Sequence, residues 1–134
     1  MRRLLIVAIG LLALAFGCTR TDREADSTVQ GSRGPQAAVT GLCEAQSAAS
    51  GGGVDEARQV FQDQSHAYLH QLAAELRERD RSLAADLLEA KQQVERAFQA
   101  EGDPELLTDL IVRLRAVVET ALASMGMANV GCFK

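Results

Sequence analysis

The chain has 134 residues, 14 Lys or Arg against 18 Asp or Glu for a formal charge of −4, and 47% apolar side chains. That suffices for one small core, and an acidic surface repels the phosphate backbone of a nucleic acid. Aromatic residues make up only 4% and prolines number two; Ala, Leu, Glu, Gln and Arg dominate, so the composition favours helix almost throughout.

The N-terminus reads Met1-Arg2-Arg3, then 13 uncharged residues from Leu4 to Phe16, then Gly17-Cys18. A positive start, a short apolar run and a small residue at the junction form an export signal. A spanning helix needs about 20 apolar residues, more than this run supplies. The junction resembles that of bacterial lipoproteins, in which a cysteine receives a diacylglyceryl group and becomes the new N-terminus. The resemblance covers Met1 to Cys18 alone. Gly17 fits the pattern, whereas Ala15 stands where leucine is usual and Phe16 is bulky for its place. It implies that residues 1–17 are a signal peptide, that Cys18 is the lipidation site, and that the protein sits on the outer face of a bacterial membrane, periplasmic or extracellular. An ordinary signal peptide cut after Ala15 or Gly17 leaves a free thiol instead.

The chain has three cysteines, an odd number that leaves one to explain in an exported protein. With Cys18 lipidated, Cys43 and Cys132 remain, and an oxidising compartment makes their disulfide the expected state. Closing a loop of roughly 90 residues stabilises by about 4–5 kcal/mol in the chain-entropy model. Two buried free thiols are the competing reading. Thiolates on a metal are a third, weakened by the absence of any C-x-x-C spacing.

Residues 18–36 read as a lipid-anchored tether. From Thr19 to Gln36 only Val29 is a large apolar residue, too little buried surface to offset ordering entropy, so disorder is expected. A flexible coil of this length spans roughly 23 Å. Arg20, Arg23 and Arg33 balance Asp22, Glu24 and Asp26, so no polybasic membrane patch is present.

Residues 37–134 read as an all-α bundle of three or four helices, antiparallel and closed by one disulfide. The first helix is expected over Ala37–Ala49, with Val39, Leu42, Cys43, Gln46 and Ala49 along one side, and Gly51-Gly52-Gly53 interrupts the chain after it. The second starts near Val54, where Asp55 and Glu56 suit the positive end of the dipole, and carries a stripe of Ala57, Phe61, Ser65, Tyr68, Leu72 and Leu76. The third carries Leu83, Leu87, Ala90, Val94, Ala97 and Phe98. Between them, residues 77–82 lose their apolar side chains, and Asp80 or Ser82 can cap a new helix. One continuous helix through this stretch is the alternative; it leaves a long exposed seam and implies a homodimer. A hairpin fits ordinary helix lengths better. Gly102-Asp103-Pro104 then ends one helix and starts the last, which runs to about Met125.

Residues able to carry chemistry are few. His66 and His70, the only histidines, stand at i and i+4, with Asp63 one turn earlier. That spacing can clamp Zn²⁺ or Cu²⁺, although an ideal helix turns both rings roughly opposite the Phe61, Tyr68 and Leu72 stripe. Met125-Gly126-Met127 offers soft thioethers, but Met125 continues the apolar stripe and reads as core. Lys91 falls on the apolar side of the third helix, where such an amine snorkels or pairs with Glu89 or Glu95. G-x-S-x-G, H-E-x-x-H, P-loop and C-x-x-C-H motifs are all absent. Residues 37–134 hold 9 Lys or Arg and 15 Asp or Glu, a formal charge of −6, which disfavours nucleic acid. The expectation is therefore a non-enzymatic envelope module without a cofactor, anchored to the membrane through Cys18 and meeting an unidentified envelope protein. A metal-binding protein using His66, His70 and Asp63 with Zn or Cu is the alternative.

Overall fold

Pro35 opens the first helix, where its fixed φ and missing N–H fit the first turn. In the computed structural model, which describes residues 34–100 and 102–132, α1 spans Pro35–Ser50. It starts two residues before the expected Ala37, so Pro35 and Gln36 belong to the bundle rather than to the tether. Gly52 ends it with φ 83°, a left-handed conformation that costs glycine little. The Gly53 N–H donates to the Ala48 carbonyl and the Gly52 N–H to that of Ala49, each at 2.9 Å, a Schellman closure that satisfies the last carbonyls.

The second helix, α2, is continuous but not uniform. It runs as an α segment Val54–Val60, a π segment Phe61–His66 and an α segment Ala67–Arg77. A turn over residues 78–80 follows, and Asp80 caps α3 (Arg81–Gln99) by accepting from the Leu83 N–H at 3.0 Å. The hairpin is thus present, and the single continuous helix is not formed. Asp103 caps α4 (Pro104–Ser124) through the Glu105 N–H at 2.9 Å. Gly126 closes α4 as Gly52 closes α1, with Met127 N–H donating to the Leu122 carbonyl at 2.9 Å.

Each helix packs on the next and α1 packs on α4, which closes the ring of a four-helix bundle. Short turns make sequence neighbours antiparallel. Leu42, Phe61, Leu69, Leu72, Leu76, Leu87, Leu107, Ile111, Leu114 and Leu122 are fully buried, each contributing on the order of 1.5–3 kcal/mol by leaving water. No strand occurs among the described residues, and none of their helices is long and apolar enough to cross a membrane. The signal segment, Cys18 and nearly all of the tether lie outside the described residues.

After α4, residues 125–132 double back along the bundle as a non-helical strap. Cys132 reaches Cys43 of α1 across 89 residues of sequence, with a Cα–Cα separation of 6.0 Å, and the two form a disulfide. The strap's Met125, Met127 and Val130 pack half-buried against the core, so the two methionines fill space between the strap and the helices.

At Gly41, α1 and the π segment of α2 approach too closely to admit a side chain. A Cβ on Gly41 would lie 2.6 Å from Gln64 Cβ and 2.7 Å from Ser65 Oγ. Ser65, fully buried, donates its hydroxyl to the Ala38 carbonyl at 2.8 Å. Gly41→Ala must therefore push backbones apart, and is expected to cost about 1–3 kcal/mol in a denaturant melt. Gly131→Ala, at a position with nothing within 4 Å of the added carbon, serves as the control and should leave stability within roughly 0.5 kcal/mol.

Candidate functional site: the polar seam between α2 and α3

The π segment decides which side chains reach α3. Its i→i+5 bonding inserts the equivalent of one residue into the turn, which delays everything after it by roughly 100°. Ser65 and His66 consequently straddle Phe61, with Ser65 against α1 and His66 toward α3. The same delay brings Leu69 and Ala73, missing from the expected stripe, into the core at 0% and 2% exposure.

His66 therefore does not lie opposite the apolar stripe, as an ideal helix would place it. Its ring packs edge-on to Phe61 at 6.0 Å, and Nε2 lies 3.0 Å from Oε1 of Glu95 on α3. That same oxygen accepts from Lys91 Nζ at 2.7 Å. The Lys91 side chain is only 4% exposed, so of the two carboxylates near it in sequence, Glu95 is its partner. One carboxylate oxygen thus joins a buried ammonium and an imidazole on two helices.

Burial holds the His66 pKa below its ordinary 6.5, the Lys91 charge lowers it further, and Glu95 opposes both. The imidazole is thus neutral at pH 7, and its Nε2–H tautomer places a donor against the carboxylate. Lower on α2, burial raises the Tyr68 phenol above 10.0, with the Glu75 charge adding to it.

Toward the far end of the seam, Arg58 donates from Nη2 to the Phe98 carbonyl at 2.6 Å, satisfying one of the orphan acceptors at the end of α3. Its Nη1 donates to Asp55 at 3.0 Å, and its guanidinium stands 5.9 Å from the centre of the Phe98 ring. Arg58, Gln62, Glu95, Phe98 and Gln99 line a shallow cleft of about 460 Å³. Sequence reasoning missed Arg58 here, although Arg58, Gln62 and His66 recur every four residues as one helical row.

The three proposed metal ligands are not brought together. His66 and His70 stack edge-on at 4.8 Å, but His70 and Asp63 are exposed. Among the described residues, no three His, Cys, Asp or Glu side chains converge on one point. The carboxylate that does meet His66 is Glu95, and Lys91 already occupies it with a positive charge that opposes a cation. No buried side-chain nitrogen or oxygen among the described residues lacks a hydrogen-bond partner, so the seam is saturated by its own groups. Comparison with family models, curated proteins and solved structures finds no match.

Two outcomes follow from this network. Glu95→Ala leaves the Lys91 ammonium buried without a counter-charge, and should cost about 3–5 kcal/mol, more than Lys91→Met, which removes the buried charge itself. The second concerns pH. Between 6.5 and the lower value in the fold, the unfolded chain holds the His66 proton and the folded chain does not. Stability should therefore fall as pH drops below about 6.5 and level off below the lowered value His66 has in the fold. Thermal melts of His66→Gln should show a shallower slope over that window.

Proposed function

We propose that the protein is an exported, lipid-anchored helical module of the bacterial cell envelope that works by contact with another protein rather than by catalysis. The Cys43–Cys132 pair at disulfide geometry carries this reading. Disulfides persist in oxidising compartments, and the pair leaves Cys18, at the end of the Met1–Gly17 leader, as the odd sulfur for lipid to occupy. In the seam, the His66 imidazole faces a carboxylate already held by Lys91. The bundle presents helical faces of net negative charge, which suit a partner with a basic surface.

Intact-mass analysis and cell fractionation test the anchor. The mature chain should begin at Cys18, carry the diacylglyceryl mass and sediment with membranes, whereas Cys18→Ser should leave the membrane fraction. A soluble cytosolic chain retaining Met1 would end this reading. Cross-linking in intact cells should then recover the same partner in repeated captures; failure to do so removes the contact role while leaving the anchor in place.

One observation favours the second reading. The His66 and His70 rings sit 4.8 Å apart on successive turns, near enough to share one ion if Glu95 releases Lys91. Calorimetric titration with Zn²⁺ and Cu²⁺ separates the two. Micromolar binding lost in His66→Ala supports a metal protein, and binding that is absent or unchanged in the variant removes the site.

A further inference from the structure

The Cys43–Cys132 bridge does not clamp the helices to one another. Every fully buried apolar residue lies between Ala38 and Leu122, within the four helices. What the bridge holds in the folded protein is the strap. Beyond the Schellman turn at Gly126, two side-chain hydrogen bonds also hold the strap: Gln36 Nε2 donates to the Gly131 carbonyl at 2.8 Å, and Arg115 Nη1 donates to Cys132 Sγ at 3.2 Å. The strap's own Met127 and Val130 are only half-buried against the core. Cys132 is exposed, whereas Cys43 is half-buried in α1.

From this arrangement we infer that Cys132 is a thiol–disulfide exchange site, and that a dithiol opens the bridge in the folded protein and releases residues 127–132 from the α1–α4 face while the bundle stays intact. A thiolate of the dithiol attacks the accessible Cys132 sulfur. The S–S bond breaks, and Cys43 leaves with the electron pair and takes up a proton. The second thiol of the reductant then attacks its own sulfur in the mixed disulfide and expels Cys132 as a thiolate. Arg115 stands where it stabilises that leaving thiolate. In balance, the protein gains two thiols and the dithiol becomes a disulfide. Release frees the Cys43 thiol and removes Cys132 from Arg115, whose Nη1 keeps its bond to Gln46 at 2.7 Å. The low local stability of a segment with few backbone hydrogen bonds makes it the part of the fold that opens alone.

The inference concerns the folded domain and stands whether or not the envelope reading survives. The oxidised full chain carrying Cys18→Ser, so that one cysteine pair remains, is treated with dithiothreitol without denaturant, alkylated and weighed. Two alkyl groups should be added while the helical circular dichroism is retained. Amide exchange over residues 127–132 should accelerate about tenfold or more, with the helical cores changing far less. Arg115→Gln should slow the second step, release of Cys132 from a preformed mixed disulfide, several-fold at pH 7. The bridge resisting the dithiol until denaturant is added, the helices melting as it opens, or strap exchange staying unchanged would each overturn the inference. The Cys43→Ser/Cys132→Ser double variant gives a check free of reductant: a folded bundle with a fast-exchanging strap agrees with it, and a folded bundle with a protected strap does not.

Discussion

Gly41 against the π turn of α2 is the contact on which the arrangement of this bundle depends. With no Cβ on Gly41, α1 and α2 meet closely enough for Ser65 to donate to the Ala38 carbonyl. That hydrogen bond sits in a dry interface, where an unmatched hydroxyl would cost about 1–3 kcal/mol. An uninterrupted α-helix would carry Ser65 and the residues after it further round the axis. The wide turn delays them, and this delay sends His66 toward α3 and Leu69 into the core.

The polar seam follows from that rotation. Once His66 faces α3, it needs an acceptor, and Glu95 serves both it and the Lys91 ammonium. A buried ion pair is weak evidence for stability, because desolvation offsets much of the Coulomb attraction. Its value here lies in register: Lys91 and Glu95 travel together on α3, but Glu95 Oε1 also serves His66 on α2, so sliding α3 by one turn would leave the His66 imidazole without its acceptor. The same sharing sets what a cation would have to displace. An oxygen engaged by an ammonium at 2.7 Å has little left for a metal, and neither Asp63 nor His70 turns inward to replace it.

Much of the fold was legible in the residues. In α3 the expected stripe holds at Leu87, Val94, Ala97 and Phe98, while Ala84 is buried instead of the half-buried Leu83 and Ala90, and Asp80, Asp103 and Pro104 mark helix starts where the structure has them. The glycine run after Ser50 ends α1 for a readable reason, since Gly52 takes a positive φ. Where reading failed, a physical cause is identifiable. A π turn carries no composition signal, so a constant 100° rotation was carried through Phe61–His66. That omitted Leu69 and Ala73 and placed His66 on the wrong side. In α1, the close-packing positions Ala38, Gly41 and Ala45 are too small to stand out as an apolar stripe. The seam was half legible: Lys91 stood out as a charge on an apolar face, but its link to His66 is a tertiary contact that no spacing within one helix reveals.

The disulfide shows how differently one bond acts on the two states of a chain. In the unfolded ensemble, joining residues 89 apart removes much of the chain's freedom, worth about 4–5 kcal/mol if loop closure is the whole account. In the folded state the same bond spans only from the middle of α1 to an exposed strap, outside the helical segments that hold the fully buried apolar residues described. A bond can therefore be large in global stability and small in local structure. Loss of the loop constraint acts through the unfolded state, so the bundle keeps its packing while its margin against unfolding narrows. For a domain of this size, which buries only about 60–70% of its unfolded surface, that margin decides how long the chain persists. The strap is then the place where chemistry can change stability without touching the core.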